Sequence, residues 1–127
     1  MIAVDTSSWI AFFAGERGAD VEALVLAMSS EQARMPPAAL SELLSDPKLP
    51  SAIADELKRV PLLPVVEGYW ERAGLLRAAL LSTRRKAHLA DALIAQSCLD
   101  HAVPLLTRDA DFRHFRPFGL ELLPLLQ

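Results

Sequence analysis

Three observations predict an α/β fold: a three-layer α/β/α sandwich around a short, mainly parallel sheet. First, Ile2-Ala3-Val4 is a short apolar run with two strong strand formers, and the helix-entry residues Asp5-Thr6-Ser7-Ser8 follow at once. Second, brief strand-like runs alternate with longer helix-like ones along the chain. Third, two predicted strands run directly into a carboxylate, Asp5 after the first and Asp109 after a later one. Open α/β sheets bind ligands at the carboxyl edge of their strands, which is where those acids fall.

The elements follow in order. Thr6–Ala14 is a first helix, broken by Gly15-Glu16-Arg17-Gly18. Ala19–Ser30 carries Val21, Leu24, Val25 and Met28 at helical spacing. Ala33-Arg34-Met35 is a short strand closed by Pro36-Pro37, and Pro37 suits the first turn of a helix over Ala38–Ser45. Asp46-Pro47 ends that helix. Ser51 caps another through Arg59, and the Pro-interrupted run Val60–Val66 is expected as an edge strand. Gly68–Ser82 is an apolar helix with Leu75, Leu76, Ala79 and Leu80; Thr83-Arg84-Arg85-Lys86 is a basic loop. His88–His101 is the next helix, Val103–Thr107 a strand, Asp109–Phe112 the start of a short turn and Leu120–Leu123 the last strand. With no repeat, low-complexity tract or linker, residues 1–127 are expected to form a single domain.

Composition narrows the class. Of 127 residues, 52% are hydrophobic, ample for a core, yet no apolar run approaches the ~18 residues of a membrane span. Met1 leads straight into strand and acid with no basic leader, so a cytoplasmic protein without a membrane partner is expected. The lone Cys98 excludes an internal disulfide and a Cys-rich metal site, and reads as a small buried apolar residue on a helix. The net charge of −3 is unlike that of proteins that grip duplexes by their phosphates. A nucleic-acid partner therefore requires a local basic patch or a bound cation.

The acids carry the chemistry. Alone, Asp5 reads as a cap for the helix after it. Glu42 has Ala38, Ala39 and Asp46 one turn away, which puts it at the border of an apolar face, although alone it reads as a solvated glutamate. Asp91 lies in Ala87-His-Leu-Ala-Asp-Ala-Leu-Ile-Ala95, apolar nearly all round, with no Lys or Arg one turn either side. A buried carboxylate with no partner is costly or takes up a proton, and such residues tend to mark sites. Asp109 and Asp111 follow a strand in Thr107-Arg-Asp-Ala-Asp-Phe112, where capping accounts for one acid better than for two. Acids converging over one sheet edge need a counter-charge, and an all-oxygen set selects Mg²⁺ or Mn²⁺. His88, His101 and His114 are scattered, without zinc-ligand spacing, and read as surface or helix-end residues. Arg84, Arg85 and Lys86, with Arg108, Arg113 and Arg116, are expected to hold phosphates, against the alternative of an ordinary solvated surface.

Four segments then call up a family: Met1-Ile-Ala-Val-Asp-Thr-Ser-Ser-Trp-Ile10, Ser41-Glu-Leu43, His88-Leu-Ala-Asp-Ala-Leu-Ile-Ala95 and Leu105-Leu-Thr-Arg-Asp-Ala-Asp-Phe112. Together they resemble the PIN-domain nucleases, specifically the VapC-like toxins of bacterial toxin–antitoxin modules. The resemblance implies that Asp5, Glu42, Asp91 and Asp109 are the family's acidic quartet of catalytic metal ligands. It implies Asp111 as an accessory acid and Thr6, Ser7 and Thr107 as polar helpers. It further implies an Mg²⁺- or Mn²⁺-dependent endoribonuclease with a two-metal-type site, a homodimer, and an antitoxin protein as partner. The chain is compact, so helix-hairpin insertions that shape RNA specificity are expected to be abbreviated.

Rival readings are weaker. An aspartyl phosphatase commonly has a second Asp two residues after the first, where this chain has Ser7. No Gly-rich fingerprint follows a strand, which argues against a dinucleotide enzyme. A phospho-acceptor domain places a Lys at a strand end, and Lys48, Lys58 and Lys86 follow no predicted strand. A catalytically silent PIN-like scaffold is the remaining alternative, and an intact quartet argues against it.

Overall fold

The computed structural model describes residues 1–124. Its elements are β1 (Ile2–Val4), α1 (Thr6–Phe13), α2 (Ala19–Ser29), β2 (Ala33–Arg34), α3 (Pro37–Leu44), α4 (Ser51–Arg59), α5 (Tyr69–Ser82), α6 (Leu89–His101), β3 (Leu105–Leu106), a 3₁₀ segment Ala110–Phe118, and β4 (Leu122–Leu123). The strands form one sheet in the order β2-β1-β3-β4. Every pairing is parallel, with Ala3 opposite both Arg34 and Leu105, and Leu106 opposite Leu123. Helices flank this sheet, giving the expected α/β/α sandwich. Parallel strands joined through helices bury both faces, which is why the central strand residues Ala3, Val4, Leu105 and Leu106 are apolar and fully enclosed.

The strands are very short. β3 spans only Leu105–Leu106 of the expected Val103–Thr107, because Pro104 offers β1 a carbonyl but no N–H. The expected edge strand Val60–Val66 reduces to one bridge, Met35 to Leu62. Met35 N–H donates to the Pro61 carbonyl at 2.8 Å and Leu63 N–H to the Met35 carbonyl at 3.0 Å. Pro61 and Pro64 have no N–H, so pairing stops there. The turn expected from Asp109 runs on as 3₁₀ helix to Phe118, held down by buried Phe112 and Phe115 and ended by Gly119 at φ 104°. This extension shortens the last strand to Leu122–Leu123.

α5 and α6 pack closely. Leu76 and Leu80 of α5 are buried, the Tyr69 hydroxyl donates to the Leu93 carbonyl at 2.7 Å, and Arg72 forks onto Asp100 at 2.9 and 2.7 Å. Leu75, grouped with the apolar stripe in sequence, faces outward. Cys98 is buried on α6, as expected. Among the described residues no helix is long and apolar enough to cross a membrane.

The consequence for function is a shared edge. β1 and β3 are neighbours and run the same way, so the residues that leave them, Asp5 and Thr107-Arg108-Asp109, emerge side by side. The Asp5 N–H still donates to the Leu106 carbonyl at 2.9 Å, which holds the two exits level. α3, entered just after β2 and Met35, brings Glu42 up from one flank, and α6 brings Asp91 from another.

Candidate metal centre at the sheet edge

Asp5 is 4% exposed. Its Oδ2 accepts three hydrogen bonds: Ser7 N–H at 3.3 Å, Ser7 hydroxyl at 2.7 Å and Thr107 hydroxyl at 2.8 Å. It therefore caps α1 and is also oriented by the neighbouring strand. Burial pushes the Asp5 carboxyl up from its ordinary range, and the bonds from Ser7 and Thr107 pull back against that.

Asp109 caps the 3₁₀ segment by accepting the Asp111 N–H at 2.9 Å through Oδ1, which leaves Oδ2 without a protein donor among the described residues. The Asp109 N–H donates to the Thr107 hydroxyl at 3.0 Å. Thr107 thus ties Asp5 and Asp109 together in one chain of bonds. Glu42 is exposed, and one oxygen accepts the Thr6 hydroxyl at 2.7 Å. Thr6, Ser7 and Thr107 are therefore the residues that orient the acids. Capping and site formation, rival readings of Asp5 and Asp109 in the sequence, are here the same hydrogen bonds.

Asp91 differs from the other three. It stands in the first turn of α6 and makes no side-chain hydrogen bond among the described residues. Its pKa is raised to about 6: first by desolvation, then by the charges of Asp109 and Asp5, with a smaller push from Glu42. His88, at the N-cap of α6, pulls the other way. Asp109, Asp5 and Glu42 thus each act on Asp91. His88, read from sequence as a helix-end residue, belongs to the same neighbourhood.

The donor set is all oxygen, negatively charged and partly unbonded, which suits a hard divalent cation. Among the described residues no three Asp, Glu, His or Cys side chains are drawn in tightly enough to share one ion as they stand. Asp109 Oδ2 and the Asp91 carboxylate accept no hydrogen bond among the described residues.

Other expected residues fall differently. Asp111 contributes its backbone N–H to Asp109. Arg84, Arg85 and Lys86 are exposed beyond α5, and none is bonded to an acid of the site. Arg108 points away: its guanidinium lies on Asp20 of α2 at 2.9 Å through both Nε and Nη2, and reaches Glu16 at 3.2 Å. No local pattern in the chain marks that pair. A cavity of about 310 Å³ adjoins the site, lined by Thr107, Asp109, Arg113, Leu122 and Leu123 among others. A larger one of about 580 Å³ lies at the β2 edge and includes none of the four acids.

The carboxyl edge of this parallel sheet gathers Asp5 and Asp109 from two strand ends and Glu42 and Asp91 from two helices. The chain belongs to the PIN domain family, whose model matches residues 2–116. Solved structures share the fold. A member of the VapBC toxin–antitoxin family, VapBC-5 from Mycobacterium tuberculosis, aligns with a TM-score of 0.68 at 20% identity over 98% of each chain. VapBC2 from Rickettsia felis, bound to a DNA fragment from its promoter, gives 0.73 at 19% over 96% of this chain and 97% of that one. VapBC-1 from nontypeable Haemophilus influenzae gives 0.73 at 21% over 96% of each. No match was found among curated proteins.

Proposed function

We propose that this chain is an Mg²⁺- or Mn²⁺-dependent endoribonuclease, the toxin of a toxin–antitoxin pair, acting as one domain over residues 1–127 in the cytoplasm. The observation that carries the reading is Asp91: a half-buried carboxylate with no side-chain hydrogen bond among the described residues, pressed upon by Asp109, Asp5 and Glu42 and only partly offset by His88. Asp5 and Asp91 would hold the ion, with Asp109 and Glu42 completing or orienting the set. A divalent cation there supplies charge neutralisation at a phosphodiester and lowers the pKa of a water.

The chain's own residues supply orientation. Ser7 and Thr107 hold the Asp5 carboxylate in place through Oδ2. The Asp111 N–H does the same for Asp109. Thr6 steadies Glu42, the most exposed of the four. Asp91 must give up its proton before it can serve as a ligand, and with a pKa of about 6 it does so near neutrality. Arg113, beside the cavity next to Asp109, and the exposed Arg84-Arg85-Lys86 loop are the cations proposed for flanking phosphates.

An antitoxin protein is a proposed partner, supported by the VapBC toxin–antitoxin structures that share the fold; a second copy of the chain is proposed on the family resemblance alone. The test is cleavage of a randomised single-stranded RNA pool with Mg²⁺, with Mn²⁺ and with chelator. Metal-dependent fragments that vanish with Asp91→Asn support the reading; intact RNA under every metal condition defeats it.

A further inference from the structure

We infer that Arg108 and Asp20 are positioning residues of the acid site, their fork fixing the Thr107–Asp109 segment and the start of α1 in one frame. The inference rests on the nuclease reading above. Thr107, Arg108 and Asp109 are consecutive where the chain leaves β3 and bends, and their side chains bond in different directions. Thr107 and Asp109 turn to the acids, and Arg108 turns to α2. There its guanidinium is used up: Nε and Nη2 fork onto the two oxygens of Asp20, Nη1 meets Glu16, and Nη2 also reaches the Arg17 carbonyl at 3.3 Å.

Asp20 serves the other half of the site as well. Its Oδ2 accepts the hydroxyl of Ser8 at 2.8 Å, and Ser8 is fully buried on α1, three residues past Asp5. The Arg108 N–H adds a bond to the Ser7 hydroxyl at 3.4 Å, the hydroxyl that orients Asp5. One buried carboxylate, 4% exposed, thus anchors both segments that carry site acids. Gly18 is built to fit: a Cβ there would stand 2.6 Å from Asp20 Oδ1 and 3.1 Å from Arg108 Nη2. The bidentate fork is specific to arginine, since a lysine offers a point charge without the planar pair of donors. Releasing it lets Asp109 drift, and a displacement of about 1 Å in a catalytic constellation costs on the order of 100-fold in rate.

The test uses the full chain as Asp20→Asn and as Arg108→Lys. Each is assayed for Mn²⁺-supported cleavage of the RNA pool, for Mn²⁺ affinity by calorimetry, and for amide hydrogen exchange at Asp109 and Asp111. Positioning predicts that kcat falls about 10- to 100-fold while KM moves less than about threefold. It also predicts weaker Mn²⁺ binding and faster exchange at those two amides, with the sheet amides unchanged. A phosphate-gripping Arg108 predicts the reverse: Arg108→Lys keeps kcat, and Asp20→Asn frees the cation and lowers KM. That pattern overturns the inference. If the parent chain cuts no RNA, the nuclease reading fails by itself, and exchange decides this inference: unchanged protection at Asp109 and Asp111 in both variants defeats it. Should Asp20→Asn not fold, Arg108→Lys, at a side chain 34% exposed, carries the same measurements.

Discussion

Asp20 and Asp91 are both acids in the first turn of a helix, and the fold treats them in opposite ways. Asp20 is met by a forked guanidinium and a serine hydroxyl, and Arg108 beside it holds its carboxyl below the usual range. Asp100 is treated likewise, by Arg72 and by the amide of Gln96. Asp91 receives no donor among the described residues, and desolvation first, then the charges of neighbouring acids, raises its pKa to about 6. Where this chain buries a carboxylate for structure, it supplies the partner. At the sheet edge Asp91 receives no such fork, and only His88 offsets the acids around it. Desolvation and like charge are unfavourable to folding, so this arrangement persists only where something else is gained.

The largest effect expected from breaking this contrast is on activity. Asp91→Asn keeps the shape of the side chain and removes the charge a metal needs. Loss of a group that merely supports a metal ligand already costs about 10- to 100-fold, so loss of the ligand should lower RNA cleavage by more than about 100-fold. Single-turnover assays in saturating Mn²⁺ would show it, and parent-like rates in the folded variant would remove Asp91 from the centre.

Stability should respond in the opposite order. Asp20→Ala strips Arg108 and Ser8 of their acceptor. With Arg108 partly exposed, the loss should be about 1–3 kcal/mol in urea unfolding. Asp91→Ala, measured in chelator, should cost far less or nothing, because it removes an uncompensated charge. Equal losses from the two variants would erase the distinction drawn between them.

The same contrast fixes the sign of the pH dependence. The folded pKa of Asp20 is lowered, so its contribution is present above the ordinary 3.8 and is lost as pH falls through the folded value. The folded pKa of Asp91 is raised, so the native state binds the extra proton. Its penalty is absent below 3.8, grows as pH rises from 3.8 to about 6, and is complete above that. Melting curves of metal-free parent and Asp91→Asn should diverge through this window, the variant gaining on the parent as pH rises. Parallel curves from pH 4 to 7 would contradict the raised pKa.

How much of this is legible in the sequence depends on how local each signal is. A strand end followed by helix-entry residues reads directly, which is why the residues around Asp5 and Asp109 suffice to assign both acids to one sheet edge. Asp91 is legible because its helix neighbours are apolar on every side. The Asp20–Arg108 fork spans 88 positions, and neither residue has a local feature that sets it apart from a surface acid and a surface base. For the same reason local sequence assigns Arg108 to phosphate, whereas the fold commits it to Asp20. Val60–Val66 has strand composition, but its prolines remove the donors that a ladder needs, and only the position of Met35 shows that a single bridge survives.

The smallest and most discriminating effect concerns Asp109, where the two kinds of acid meet in one residue. Asp109 caps the 3₁₀ segment through Oδ1, as a structural acid does, and also raises the pKa of Asp91, as a site acid does. Asp109→Asn separates the roles. Asparagine is about as good a cap as aspartate, so the bond from the Asp111 N–H should survive nearly intact. The repulsion toward Asp91 does not survive. In chelator near neutral pH the variant should therefore melt slightly higher than the parent, by about 1–3 °C for a domain of this size. Divalent metal should reverse the order, because an ion that binds only the folded parent adds stability that the variant, short of a ligand, cannot match. Below the ordinary carboxylate range the difference should vanish, since the acids are then protonated in both proteins. A variant that melts lower in chelator, with no response to Mn²⁺, would mean that Asp109 acts only as a cap and that the sheet edge is not the common ground of these acids.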